Sequence, residues 1–317
     1  MGRPPKNPAI PSRQGVSASC IALPYDKAAP WPLLLDFLAE RLSAVSREAW
    51  AQRLARGEVL DDAGQALPPD AAFTPGVRVY YYRELDHEPV VPFEETVLHL
   101  DEHLLVADKP HFLPVTPGGR YVQQSLLVRL KNRLGIDTLS PIHRIDRETA
   151  GLVVFSLRPQ DRDAYQSLFR KRVVHKVYEA LAPTGDASQA WPVVRRSRIE
   201  EAHDAFFRMN ETEGEPNSET RIERLEVRGP WARYRLEPVT GKRHQLRVHM
   251  NALARPIVGD QFYPHVQRGP HEAEDFSNPL RLLARAIAFT DPVTGEARAF
   301  SSQQSLSWPE PQETVRP

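Results

Sequence analysis

Polar and charged side chains crowd into one short stretch of the chain, residues 143–149, immediately ahead of an apolar run at residues 152–155. This order predicts that Asp146 lies on a loop at the edge of a buried strand. A carboxylate held in such a position is suited to act as a nucleophile or a base. Asp146 could also be an ordinary turn aspartate that caps backbone amides, because acidic residues are common in loops.

A second group of functional side chains follows the Thr-Gly pair at residues 240–241. Three cationic residues, Lys242, Arg243 and Arg247, fall within six positions at a turn that leads into a predicted helix, residues 244–253. Such a cluster is suited to bind phosphate groups. A solvated basic helix start is the plain alternative.

Lys176 and Tyr178 lie on a predicted strand, residues 173–182, about thirty positions after Asp146. Taken alone, a strand tyrosine of this kind is a core aromatic. Its order relative to the two groups above makes Tyr178 a candidate for the same site.

Charge is segregated along the chain, although 41 basic residues balance 41 acidic ones overall. Residues 120–176 contain twelve Lys and Arg against five Asp and Glu, whereas residues 200–226 contain three against nine. Net charge therefore gives no indication of a nucleic-acid partner, but we expect one electropositive surface.

Several classes of site are disfavoured. The single cysteine, Cys20, excludes an intramolecular disulfide and any multi-cysteine zinc cluster, and it fits a reducing, cytoplasmic setting. His244 and His249 are five positions apart, so they do not share a helix face as zinc ligands would. No Gly-rich phosphate loop follows a strand, and we expect neither a signal peptide nor a membrane span. We expect neither a metal nor a cofactor.

Composition and periodicity divide the chain into a small and a large unit. The small unit is expected to hold two helices, the second capped by Ser46, followed by a small sheet. In the large unit, strands outnumber helices and short turns join them, which predicts an α+β fold with a mixed, largely antiparallel sheet flanked by helices. The expected segments are a flexible lead-in at 1–30, the small module at 31–83, a linker at 84–95, the large domain at 96–305 and a tail at 306–317.

The order and spacing of residues 143–155, 176–180 and 238–260 resemble the signature segments of RluA-type pseudouridine synthases. The resemblance covers about residues 97–300 and implies the pseudouridine synthase fold for that domain. It implies that Asp146 is the catalytic residue and that Arg144 helps to hold the target base out of the RNA helix. It also implies that Tyr178 stacks on that base and that Arg247 pairs with the aspartate. Such pairing has a physical reason, because burial neutralises a carboxyl group and an adjacent guanidinium favours its ionised form.

On this resemblance the protein is an isomerase that converts specific uridines in structured RNA into pseudouridines. Ribosomal RNA is the first expected substrate and transfer RNA the second. Whether Asp146 attacks the sugar or the base, or abstracts a sugar proton, stays open. We expect a cytoplasmic monomer without cofactor, metal or membrane partner. Departures from the family pattern at Ala150, Lys242 and Leu283 remove none of the proposed catalytic groups. The expected RNA contacts are Arg144, Arg147, Lys176, Lys242, Arg243 and His244.

The small unit resembles the RNA-binding module named after ribosomal protein S four, including Val-Ser-Arg at 45–47 and Gly-Glu-Val at 57–59. A structural appendage would give the same pattern. The rival function for the whole chain is a non-catalytic RNA-binding or ribosome-assembly protein on the same fold. A glycoside hydrolase is a weaker candidate, because it needs two carboxylates facing one bond and only Asp146 stands out.

Overall fold

The computed structural model describes residues 7, 9–25, 30–85, 87–186, 188–202, 205–269, 272–273 and 275–309. Within them, a small three-stranded unit precedes a domain built on one large sheet. No described helix is both long enough and apolar enough to cross a membrane.

The N-terminal unit packs two helices against an antiparallel sheet. Ser46 caps the second helix as predicted, because its Oγ accepts a hydrogen bond from the backbone N–H of Ala49 at 3.2 Å. Phe37, Leu38 and Trp50 are buried in its core. The elements in chain order are β1 (Ser19–Ala22), α1 (Leu34–Arg41), α2 (Arg47–Ala55), β2 (Val59–Leu60) and β3 (Arg78–Tyr81), with β3 central.

The segment before Trp31 was expected to be a flexible lead-in, and this expectation is wrong for the strand β1. All four residues of β1 pair with β3, which explains why this segment is ordered. A tight turn at residues 13–16 lies against the large domain, where Val16 packs with Val122 and Val128. The remaining lead-in residues 1–6, 8 and 26–29 lie outside the described part of the chain.

Residues 84–95, the expected linker, are anchored to the large domain from residue 88 onward. The carboxylate of Glu88 accepts hydrogen bonds of 2.6–2.9 Å from the backbone N–H groups of residues 122–124. Val91 is buried in the core, and buried Glu95 lies within 3.5 Å of Arg129 and 3.2 Å of Arg133. Most of this segment is therefore part of the large domain.

The large domain contains an eleven-stranded sheet, and among the described strands only β7 and β13 pair in parallel. This confirms the predicted α+β fold with a mixed, largely antiparallel sheet. The strand order is β10-β9-β11-β12-β8-β13-β7-β5-β4, with β14 beside β13 and β6 beside β7. The strands are β4 (Thr96–Leu100), β5 (Leu104–Lys109), β6 (Ser140–Pro141), β7 (Ala150–Ser156), β8 (His175–Pro183), β9 (Val193–Ala202), β10 (Ala205–Thr212), β11 (Ser218–Arg228), β12 (Trp231–Pro238), β13 (Leu282–Thr290) and β14 (Ala297–Ser301). The helices are α3 (Leu126–Leu134), α4 (Arg162–Arg170) and α5 (Gln245–Ala252), and a short 3-10 turn (Pro159–Asp161) precedes α4.

Four adjacent strands at the centre of the sheet bring the candidate segments together. Tyr178 of β8 lies opposite Leu236 of β12 on one side and Ala284 of β13 on the other. Ala284 in turn lies opposite Gly151, at the start of β7. Gly151 has φ +107°, and a Cβ there would stand 2.3 Å from the carbonyl oxygen of Ala284, so this close approach requires glycine.

Residues 306–309, which were expected to begin a tail, pack on the large domain. Leu306 is buried, and the guanidinium groups of Arg228 and Arg233 lie 4.7 and 5.2 Å from the ring centre of Trp308. The rest of the expected tail, residues 310–317, lies outside the described residues.

Candidate active site

Asp146 lies on the loop between β6 and β7, as the sequence predicts. The backbone N–H of Thr149 donates to the Asp146 carbonyl at 3.2 Å, which closes a turn just before β7 begins. The side chain is 24% exposed, and its Oδ2 lies 3.7 Å from Nη1 of Arg247. Asp146 is therefore a carboxylate that faces both a cavity and a buried cation.

Arg247, on α5, is fully buried, and Asp260 is its main partner. Its Nε and Nη2 donate to the two Asp260 carboxylate oxygens at 2.8 and 2.6 Å. Its guanidinium also lies 4.9 Å from the ring centre of Phe262 and 5.4 Å from that of Tyr263. Burial disfavours the charge, but the facing Asp260 carboxylate raises the pKa of Arg247 above its ordinary value.

The third nitrogen of Arg247 points at two further carboxylates. Its Nη1 is buried and has no hydrogen-bond partner among the described residues. It lies 3.7 Å from Asp146 and 3.8 Å from Oε2 of Glu148. Arg247 was expected to pair with Asp146, and the two do approach each other, but its hydrogen bonds go to Asp260.

Glu148 and Asp260 were not assigned roles from the sequence. Glu148 is buried, and Nε of Arg147 donates to its Oε1 at 3.0 Å. Burial raises the pKa of the Glu148 carboxyl, but Arg147 and Arg247 outweigh this effect and lower it to about 2. The position of Glu148 two residues after Asp146 was a usable signal. Asp260 lies at the end of the segment 238–260 that resembles the family, but its pairing with Arg247 was not predicted, because the loop after α5 brings the two residues together.

Tyr178 is half-buried on β8 and lines the same cavity as Asp146. Burial of its hydroxyl, with the nearby Asp146 charge, raises the pKa of Tyr178. The phenol is therefore held in its protonated form at neutral pH, with its ring available for stacking.

The cavity beside these groups has a volume of about 730 Å³, within the usual range of about 300–1,000 Å³ for ligand sites. It is walled by the Asp146 loop, α4, β8 and the turn that leads into α5. Of the nine site residues expected from the sequence, seven line it: Arg144, Asp146, Lys176, Tyr178, Lys242, His244 and Arg247.

Arg147 and Arg243 do not line the cavity. Arg147 is turned towards Tyr121, whose hydroxyl it contacts at 2.8 Å, and towards Glu148. Arg243 is half-exposed, and its Nη1 lies 3.6 Å from Glu201. Arg147 therefore contributes to the electrostatic support of the site, and Arg243 lies on its outer surface.

The turn before α5 is fixed by a network around Gln245. Its Oε1 accepts hydrogen bonds from the Thr240 hydroxyl at 2.6 Å and from the backbone N–H of Lys242 at 3.0 Å. The carbonyl of Thr240 accepts a bond from Nζ of Lys176 at 3.2 Å. Burial lowers the pKa of Lys176 to about 8. The side chain of Lys176 and the backbone of Lys242 are thus held beside the cavity.

His244 and His249 have local partners. His244 is buried, adopts φ +54° at the start of α5, and its Nδ1 lies 3.2 Å from the Tyr263 hydroxyl. Nε2 of His249 lies within 3.1 Å of two serine hydroxyls, and its Nδ1 lies 2.9 Å from Oγ1 of Thr220. In the described part of the chain, no three His, Cys, Asp or Glu side chains form a group that could hold a metal ion.

Comparison with known proteins gives one consistent family. The sequence profile described as "RNA pseudouridylate synthase" matches residues 103–252. An uncharacterized RNA pseudouridine synthase of Synechocystis is 30% identical over 232 residues, which is 73% of this chain and 79% of the relative. The dual-specificity RNA pseudouridine synthase RluA of Haemophilus influenzae is 32% identical over 232 residues, 69% of this chain and 96% of the relative.

A yeast mitochondrial tRNA pseudouridine(32) synthase is 32% identical over 182 residues, which is 56% of this chain and 39% of that protein. Among solved structures, human RNA pseudouridylate synthase domain containing 1 aligns with a TM-score of 0.55 and 23% identity, over 69% of this chain and 86% of that one. This structural likeness shows a shared fold.

Proposed function

The chain belongs to the RluA family of RNA pseudouridine synthases, and on that premise we propose that it isomerises specific uridines in structured RNA with Asp146 as its catalytic residue. The observation that carries this proposal is the position of Asp146. Its partly exposed carboxylate faces a cavity of about 730 Å³ and stands 3.7 Å from the buried Arg247, whose Nη1 has no hydrogen-bond partner among the described residues.

The reaction breaks the bond between C1′ of the ribose and N1 of uracil and forms a bond between C1′ and C5. The hydrogen on C5 leaves as a proton, and N1 gains one, so the RNA keeps its mass. Three routes for Asp146 remain open: attack on the sugar, attack on the base, or removal of a sugar proton. In each of them an ionised carboxylate is required, and Arg247 stabilises that form.

The target base must leave the RNA stack to reach Asp146, because a base that stays stacked between its neighbours cannot enter the cavity that Asp146 lines. Arg144 is exposed at the rim of this cavity and has no hydrogen bond or ion pair to the described residues. We propose that its guanidinium takes the space of the extruded uridine. The ring of Tyr178, on the cavity wall, stacks on the extruded base.

Phosphate contacts are proposed for the cationic groups around the cavity. Lys176 and Lys242 line it directly, and Arg243 lies on the adjoining surface. His244 is buried, and burial lowers its pKa, so it contributes as a neutral donor or acceptor. Arg147 acts at longer range, through its charge beside Glu148.

We also propose that the N-terminal unit is an RNA-binding module of the ribosomal-protein-S-four type. Its order of two helices and a small sheet supports this, although the family profile begins only at residue 103. Residues 31–83 carry six Arg and seven Asp or Glu, so the unit is not basic as a whole. Any RNA contact must therefore come from a local surface.

Ribosomal RNA is the proposed substrate class, ahead of transfer RNA, and the proposed setting is the cytoplasm, with the protein acting as a monomer. Mapping pseudouridines in total cellular RNA with and without the gene tests the substrate class directly. Loss of a specific pseudouridine in ribosomal RNA supports the proposal. Loss of a pseudouridine only in transfer RNA would make transfer RNA the substrate. An unchanged map would favour a non-catalytic RNA-binding protein.

A further inference from the structure

A second pocket lies between the N-terminal unit and the large domain, with a volume of about 600 Å³. Residues 15–20, including part of β1, form one wall, and residues from α3, α4 and the β6 region form the other. The N-terminal wall is held in place by Val16, which packs on α3, and by Arg83, which donates to the carbonyl of Gly119 at 2.9 Å.

This junction pocket adjoins the catalytic cavity. Pro141, Arg144 and Gln166 line both. Arg144 is exposed on the ridge between the two spaces. A single polymer chain could therefore occupy both, with Arg144 between two of its units.

The lining of the junction pocket is suited to a phosphodiester chain. Its charged residues are four cations, Arg83, Lys131, Arg144 and Arg162, and one carboxylate, Asp137. Arg162 donates from Nη2 to the Thr138 carbonyl at 2.5 Å, but its Nε is buried and has no hydrogen-bond partner among the described residues. A guanidinium group is a strong phosphate ligand, because it is planar, always charged and carries several donors.

Small hydroxyl groups complete the pocket and suit ribose. Ser17 and Ser19 stand on the N-terminal wall, and Thr116 and Ser140 stand on the opposite wall. All four are half-buried. Hydroxyl groups can donate to or accept from the ribose 2′-OH, which distinguishes RNA from DNA.

We propose that the junction pocket binds a nucleotide of the substrate RNA strand next to the target uridine, with its phosphate held by Arg162 and Arg83. This rests on the proposed function, in which the target uridine occupies the catalytic cavity. The N-terminal unit would then hold RNA through this one face, which agrees with its lack of a general positive charge.

The chain's single cysteine makes the pocket accessible to a direct test. Cys20 is exposed, free and part of the N-terminal wall. We would alkylate the full-length protein with and without an unmodified transcript of large-subunit ribosomal RNA or of transfer RNA. The matched control is Gln52→Cys in a Cys20→Ser background, because Gln52 is exposed on α2, which lines neither pocket.

The inference predicts that alkylation of Cys20 slows in proportion to the fraction of protein bound to RNA, while the control cysteine reacts at an unchanged rate. Pseudouridine formation by the wild-type protein on the same transcripts is the separate readout for the proposed function. If pseudouridine forms but Cys20 stays fully reactive at saturating RNA, the inference fails and the proposed function stands. If no RNA yields pseudouridine, the proposed function itself fails.

A charge variant provides the second measurement. Each phosphate contact contributes about 0.7–0.9 to the slope of log affinity against log salt, so the double variant Arg83→Gln/Arg162→Gln should lose about 1.4–1.8 of that slope. Arg196→Gln is the control, because Arg196 lies on β9 of the large domain, outside both pockets, and pairs with Glu219. Equal slopes for the double variant and the control would overturn the phosphate assignment.

Discussion

The substitution Asp260→Asn tests how the site holds its cation. Asp260 has no exposed side-chain surface, binds Arg247 through two hydrogen bonds, and accepts backbone N–H groups from Phe262 and Tyr263 at 2.9 and 3.2 Å. Asparagine keeps the shape and one acceptor oxygen, but it loses the charge and turns an amide N–H₂ towards the guanidinium.

Breaking a buried ion pair costs about 3–5 kcal/mol. The lower end applies here, because Asp146 and Glu148 still lie 3.7 and 3.8 Å from Arg247 and compensate part of its charge. We expect the free energy of unfolding to fall by about 3 kcal/mol. Arg247 should also shift towards those two carboxylates, and a displacement of about 1 Å can slow catalysis on the order of 100-fold.

Urea denaturation measures the loss of unfolding free energy. The single-turnover rate at saturating RNA measures the slowing of catalysis. RNA affinity should change little. Asp163→Asn is the control for stability, because Asp163 is 87% exposed and its pairing with Arg170 is a surface ion pair worth about 0–1 kcal/mol. If Asp260→Asn matched the control in stability and the wild type in rate, the role assigned to Asp260 would be refuted.

Three further predictions concern single residues. Arg144→Ala should slow the reaction more on folded RNA than on a short single strand, where little stacking must be disrupted, and equal defects on the two would exclude the wedge role. RNA affinity should decline as pH rises through about 8, because Lys176 loses its charge there. Lys176→Arg should remove that decline. RNA-binding titrations below and above pH 8 test this prediction. Burial lowers the pKa of His143 from 6.5 to about 3, so the contribution of this neutral imidazole to stability is fully present above pH 6.5 and is lost as pH falls towards 3. His143→Gln should flatten this acid decline in urea denaturation curves, and an unchanged decline would contradict the buried neutral state.

Elements with local signals could be predicted from the sequence. The cap at Ser46 and the glycine that ends α3, Gly135 with φ +68°, are decided by neighbouring residues. The loop position of Asp146 follows from polar residues set against an apolar strand. The helix predicted at residues 244–253 and the observed α5 (Gln245–Ala252) agree within one residue at each end.

Features that depend on distant partners could not be predicted. β1 is a four-residue strand that is ordered because it pairs with β3, almost sixty positions later, and its own sequence carries no clear alternation. Arg147 looked like an RNA contact by its position beside Asp146, but the fold turns it towards Tyr121. The pairing of Arg247 with Asp260 is likewise a product of the loop after α5.

Asp146→Asn is the measurement that tests the central claim most directly. The substituted side chain has nearly the same shape and lies on a partly exposed loop, so folding and RNA binding should be retained. The amide cannot act as an anionic nucleophile or base, so no pseudouridine should form in a single turnover at saturating RNA. Asp163→Asn, an exposed aspartate on α4, should give the wild-type yield. Appreciable pseudouridine from the purified Asp146→Asn protein would contradict the account.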